Sequence, residues 1–189
     1  MTIHLATRLA HQLLIAMPHL RGDVFVKSLV YVCVHDESGV MGLVVNKPSS
    51  LTLADLFEQL NIPCSRPELL THHVLDGGPV QTNIALILHE EASNWQSTQA
   101  VGNNLYLTGS KDILEAIANG RGPRNYLVIR GYAGWSGGQL EQEISQNSWL
   151  TADVKHTLLF DTPYYARWEN AGKLLGFNIK LLTDQVGHS

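Results

Sequence analysis

The residues best placed to do chemistry run Gly131-Tyr-Ala-Gly-Trp-Ser-Gly-Gly-Gln-Leu-Glu141. Within them, Gly134-x-Ser136-x-Gly138 has the spacing of a hydrolase nucleophile elbow. There, glycines two residues either side of a serine let strand, turn and helix approach closely. The apolar run Tyr126 to Ile129 just ahead reads as a strand, and a short helical pattern follows. Asp153 or Asp161, then His156 or His188, would complete a triad in the order serine, acid, histidine. Ser136 has a competing occupation, because Ser136-x-x-Gln139 is also a capping-box pattern that satisfies the first amides of a helix. The chain upstream lacks the parallel βαβ array that displays such an elbow. The stretch therefore reads as a tight structural corner that presents Trp135, its glycines required for steric reasons. Hydrolysis at Ser136 is the alternative.

The other polar groups have plainer roles beside their functional ones. A helix N-terminus attracts anions, yet no lysine follows this loop as in a phosphate-binding loop. Glu141 and Glu143 would instead complement the helix dipole. Being two residues apart they do not share a helix face, so they make a poor acid–base pair. His89-Glu90-Glu91 lacks the second histidine of a zinc motif, and neighbouring His72 and His73 point to opposite faces of a strand. Neither a metal site nor a cofactor is expected. Asp76-Gly77-Gly78-Pro79-Val80-Gln81 is a punctuated loop that reads as a sharp turn, with cleft lining by Gly77, Gly78 and Gln81 the functional reading. Asn46-Lys47-Pro48 ends a strand in the same manner. Trp149, Arg167 and Trp168 suggest an arginine–aromatic stack.

These groups must be held by a framework, and its bulk properties are informative. The 189 residues fit one domain spanning 1–189, large enough to bury roughly 70% of its unfolded surface without a metal or disulfide. The net charge of −4 and the absence of a strongly basic segment argue against direct nucleic-acid binding. Cys33 sits in an apolar run and Cys64 stands alone, which suits a reducing, cytoplasmic setting. No apolar run approaches the ~20 residues of a membrane span, so no membrane partner is expected.

Strands are expected at 13–17, 29–35, 40–46, 84–89, 104–108, 125–130 and 157–160 from their Val, Ile and Leu content. Asp36-Glu-Ser-Gly39 would join the second and third as an antiparallel hairpin. Helices are expected from Thr52 to about Leu60, at 111–119 with Ser110 as N-cap, after the glycine corner, and from Thr162-Pro163 to Gly176. Strands outnumber helices and one crossover helix cannot build a doubly wound sheet. The fold class is α+β with a mainly antiparallel or mixed sheet.

With these segments in place, the chain resembles the YqgE/AlgH family of bacterial proteins. The pieces that carry the resemblance are Leu13-Leu-Ile-Ala-Met-Pro18, Gly42-Leu-Val-Val-Asn-Lys-Pro48, Gly77-Gly-Pro-Val-Gln81, Thr108-Gly-Ser-Lys-Asp-Ile113, Gly131-Tyr-Ala-Gly-Trp135 with Gly138-Gln-Leu-Glu141, Asn147-Ser-Trp-Leu150 and Arg167-Trp168. The resemblance implies a bifurcated sheet curled into a pseudo-barrel with flanking helices. It brings no activity, cofactor or catalytic residue. One branch of the family bears a name tied to alginate regulation, which implies a transcriptional role. The acidic charge and the lack of a helix-turn-helix pattern make that role an indirect one. The expectation is a binding or regulatory protein, leaning away from catalysis, with an unidentified protein or small-molecule partner. Its groove would draw on Asn46, Lys47, Gly77, Gly78, Gln81, Trp135, Gln139, Glu141, Trp149 and Arg167.

Overall fold

The computed structural model describes residues 9–22 and 24–182. In chain order the strands of the first half are β1 (Leu13–Ala16), β2 (Leu29–Asp36), β3 (Gly39–Val44), β4 (Pro48–Thr52), β5 (His73–Asp76) and β6 (Val80–His89), with helix α1 (Leu53–Gln59) between β4 and β5. The second half adds β7 (Thr98–Ala100), β8 (Tyr106–Thr108), α2 (Lys111–Ala118), β9 (Tyr126–Ser136), α3 (Gln139–Ser145), β10 (Trp149–Ala152), α4 (His156–Phe160) and α5 (Tyr164–Leu174). The fold is α+β.

The sheet runs β10-β1-β2-β3-β9-β6-β8-β7, and β4 with β5 branches from it at β9. Every pairing is antiparallel except β5 with β9, where Leu75 faces Ile129 and Asp76 faces Arg130. The sheet is thus bifurcated, and it curls into a half-barrel. Its hinge is β9. The C-terminal part of β9 pairs with β3, while its N-terminal part pairs with β5 and β6.

The apolar pattern explains the layering. β1 is an unbroken buried run, Leu13 to Ala16, because both its faces are covered. Leu13 and Ile15 join Leu158, Leu159, Trp168 and Ala171 of α4 and α5. Leu14 and Ala16 join Trp135, Leu140 and Trp149 on the α3 side. A separate cluster packs Leu56 and Phe57 of α1 and Ile113 and Ile117 of α2 over Ile87 and Val128. Cys33, wholly within the first cluster, has its thiol pushed up to about 12 by burial.

Helix α1 begins at the expected capping box. Thr52 Oγ1 accepts from the Asp55 amide, and the Asp55 carboxylate accepts from the Thr52 amide at 2.8 Å. Helix α2 stops before Gly120 in a Schellman arrangement, with the Arg121 amide bonded to Ala116 O and that of Gly120 to Ile117 O.

Several expectations are corrected. Residues 157–160 are helical, in α4, since a four-residue apolar run has no period that separates strand from buried helix. Residues 131–136 do not form a corner. They continue β9, with Trp135 opposite Val40, and the chain turns only after Ser136. Ser136 is consequently not the N-cap of α3. That position belongs to Gly138, left-handed at φ 80°, because the two glycines carry the chain past Ser136 before the helix starts. Only one side of the box forms, with Gln139 Oε1 accepting from the Ser136 amide at 3.1 Å. Ser110 is the N-cap of α2 as expected, but its hydroxyl makes no capping bond to the helix: it donates to Asp112 at 2.5 Å and accepts from the Ser97 amide at 3.2 Å. Thr162 lies one residue before the cap position, which Pro163 takes.

Candidate functional site

The candidate residues fall in two regions. Trp135, Gln139, Glu141 and Trp149 lie around α3. Trp135 and Trp149 are buried, their rings 6.0 Å apart edge to face, with Phe25 stacked on Trp135 at 5.6 Å. Sequence reasoning overlooked Glu143 as the centre of this group. Its Oε2 accepts from the indole of Trp135 at 3.0 Å and of Trp149 at 2.8 Å, while Oε1 accepts from Gln139 Nε2 at 3.1 Å. Glu141 points elsewhere and meets His35 Nε2 at 2.8 Å, the His35 side chain being 2% exposed. Among the described residues, His35 Nδ1 and Glu141 Oε2 are buried without partners.

The elbow geometry is absent from the same region. The exposed Ser136 hydroxyl donates to Gln139 Oε1 at 3.2 Å. His156 instead bridges the Glu90 carboxylate and the Asn103 carbonyl, far from Ser136 in its bonding. Asp161 lines a different cleft, and His188 lies outside the described residues.

The second region gathers segments far apart in the chain. Gly77 O accepts from the Val44 amide at 2.9 Å, and Lys47 O from the Asp76 amide at 2.7 Å, so strands β3 and β5 finish side by side. Gly78 is indispensable here. At φ 150° it crosses β9 so closely that a Cβ would stand 2.2 Å from the Tyr132 carbonyl. Beside this junction, Lys47, Asp76, Gly78, Thr82 and Arg130 line a cleft of about 450 Å³. Gln81, exposed and left-handed at φ 48°, stands outside that lining. Asn46 is buried and works as a strap: its Oδ1 accepts from the Leu29 amide and its Nδ2 donates to Lys27 O, both at 2.8 Å.

Lys47 and Pro48 also border a cleft of about 330 Å³ with Lys27, Tyr165, Trp168 and Glu169. Lys47 donates to Val26 O, and burial, then the Lys27 charge, hold its ammonium below the usual lysine range. The cation over the Trp168 ring is Lys27 at 5.9 Å, which corrects the expected Trp149–Arg167–Trp168 stack. Tyr164 separates this cleft from a third of about 540 Å³.

The third cleft opens where β5 and β9 part. Their pairing ends at Leu75–Ile129, and His73, Leu127 and Val128 line the gap. Arg167 lines it too, 6% exposed. Its Nε donates to Thr162 O at 3.0 Å and its Nη1 to Val45 O at 2.5 Å. Among the described residues no carboxylate pairs with it, and burial pushes its pKa down to about 10, so it stays charged at neutral pH. His73 Nδ1 lies 3.0 Å from Ser49 O, which places the proton on Nδ1 and leaves Nε2 as an acceptor in the neutral ring. Sequence reasoning missed His73, Lys27 and Arg130, since only long-range folding brings them to this face. Among the described residues, no three His, Cys, Asp or Glu side chains converge as metal ligands, and no helix is long and apolar enough to cross a membrane.

A family model described as AlgH-like matches residues 13–180. The chain belongs to this family. A UPF0301 protein of Chromobacterium violaceum is 47% identical over 181 residues, covering 96% of this chain and 97% of the relative. Another, from Xanthomonas campestris pv. campestris, is 47% identical over 185 residues and 98% of each chain. The solution structure of the AlgH protein from Pseudomonas aeruginosa superposes with a TM-score of 0.79 at 43% identity, covering 100% of both chains. A crystal structure of a Corynebacterium diphtheriae protein gives 0.73 at 19% identity over 92% of this chain and 90% of that one, which speaks for the fold alone. The AlgH-like sheet therefore frames the three adjoining clefts described above.

Proposed function

We propose that this AlgH-like chain is a non-enzymatic binding or regulatory protein of the cytoplasm, working through the face that carries the three clefts. One observation supports this most. Asn46-Lys47, Gly78 and Arg167, distant in sequence, meet on adjoining clefts where Lys27 and Arg130 join them. In these linings Lys27, Lys47, Lys180, Arg130 and Arg167 stand with Asp76, Asp161 and Glu169, Arg130 being paired with Asp76 at 2.6 Å and Lys180 with Glu169 at 2.8 Å. Cations thus outnumber carboxylates there, on a chain whose net charge is −4. Such concave, partly apolar sites with a few fixed polar groups suit small molecules. Any regulatory effect would pass through a protein or small-molecule partner, because the overall charge opposes docking on DNA.

The purified protein can be equilibrated with a small-molecule extract of bacterial cytoplasm, and the co-eluting compounds identified by mass spectrometry. Recovery should fall by about tenfold in Lys47→Glu, the loss of one charged contact worth ~1.4 kcal/mol. Equal recovery by a folded Lys47→Glu protein defeats the proposal. Labelling of the wild type, but not of Ser136→Ala, by a fluorophosphonate would restore the hydrolase alternative.

A further inference from the structure

We infer that the cleft at the fork between β5 and β9 is a site for a small monocarboxylate with an apolar body, its head group seated on Arg167. This deepens the binding function proposed above and rests on it. A guanidinium has five N–H donors in a planar fork, and burying its charge without a compensating group is costly. The structure commits the Nε proton to Thr162 O and one Nη1 proton to Val45 O, both neutral carbonyls, which leaves the second Nη1 proton and both on Nη2 for a ligand. A strap made only of carbonyl contacts does not require a full positive charge in this cleft. A carboxylate bound there completes the charge balance and matches the fork geometry.

The lining sets the rest of the ligand. Leu53, Leu75, Val128, Phe160 and Pro163 form its apolar walls, and about 540 Å³ is room for a body of several carbons beyond the head group. Asp161, exposed and part of the same lining, repels polyanions but is screened by water, whereas Arg167 is buried and acts at full strength on a single charge. One buried cation facing apolar walls therefore selects a monoanion over a phosphate ester or a nucleotide. Tyr164 and His73, their rings 6.5 Å apart edge to face, lie with Thr71 on the same cleft. With Nδ1 bonded to Ser49 O, His73 has Nε2 left for a polar group of the ligand.

The test uses phenylacetate as probe, its neutral isostere phenylacetamide, and inorganic phosphate, with the full chain followed by NMR at the Arg167 Nε–Hε resonance. Phenylacetate should shift that resonance saturably, phenylacetamide should not, and phosphate should fail to displace phenylacetate at equal concentration. Arg167→Lys, which keeps the charge but loses the fork and with it the reporter N–H, should weaken phenylacetate by about tenfold or more in isothermal titration calorimetry. Thr71→Trp, a change at an exposed lining position, should block it equally and carries the test if Arg167→Lys does not fold. Absence of a saturable shift, an equal response to phenylacetamide, displacement by phosphate, or undiminished binding by folded Thr71→Trp each overturns the inference. Glu115→Gln, on the exposed face of α2 and outside all three clefts, should leave phenylacetate binding unchanged. Lys47-dependent recovery of metabolites without phenylacetate binding would overturn this inference while sparing the broader proposal.

Discussion

At the scale of single residues, the positions that tolerate least change are those where backbone meets backbone. Gly78 is one. Its φ of 150° disfavours any side chain, and the Tyr132 carbonyl stands only 2.2 Å from where a Cβ would sit. Gly78→Ala should cost about 3 kcal/mol or more, visible as a lower midpoint of urea unfolding at unchanged slope. An unaltered midpoint would mean that the β5–β6 turn can rearrange freely, contrary to its hydrogen bonds with Val44 and Lys47. Arg167 illustrates the opposite situation, a side chain whose structural bonds occupy only part of its donor set.

At the scale of elements, α3 is tied to the sheet through Glu143, which accepts both indole N–H groups of the aromatic cluster. Glu143→Ala leaves two donors without an acceptor at about 1–3 kcal/mol each, so a loss of about 2–6 kcal/mol is expected. Glu143→Gln retains one acceptor oxygen and should lose less. Thermal unfolding followed by tryptophan fluorescence checks this order, and equal stability of both variants would refute it. Elements whose apolar pattern is local were legible in the sequence: β2, β3 and their hairpin, α1 with its Thr52 box, and α2 with its stop at Gly120. Strands β4 and β7 were not, because Pro-Ser-Ser-Leu-Thr and Thr-Gln-Ala carry no apolar alternation and exist through their partners. The length of β9 was hidden by Gly131 and Gly134, glycines that signal turns; Gly131 here admits the β5–β6 turn, a Cβ on it standing 2.6 Å from the Gly78 carbonyl oxygen. At the site, Lys47, Gly78 and Arg167 were recognisable as punctuated or charged positions. Their convergence with Lys27, Arg130 and His73 was not, since spacing along a chain holds no record of contacts made across a folded sheet.

At the scale of the whole molecule, two groups near the end of β6 contribute to how the fold responds to acid. His89 is fully buried, with Nδ1 2.9 Å from Glu90 O and Nε2 2.7 Å from the Thr108 hydroxyl. Burial holds its pKa below the ordinary 6.5. The native state therefore binds this proton less readily than the unfolded chain does. Its contribution is fully present above 6.5 and is lost as pH falls from there towards the depressed native value. Glu90 is kept below its usual 4.5, first by the Asn125 amide and then by His156, so its contribution is present above 4.5 and disappears as pH falls through its native value. The Tm should decline in two stages on acidification, and His89→Gln should flatten the upper one. A decline between pH 6.5 and 5 that persists unchanged in that variant would remove His89 from the account. The arrangement of the sheet has a consequence of its own. Because β9 lends one stretch to β3 and another to β5 and β6, neither wing owns a complete set of neighbours. Evolution cannot trade either wing as a separate module, and a duplication or transplant must carry nearly the whole gene to be viable.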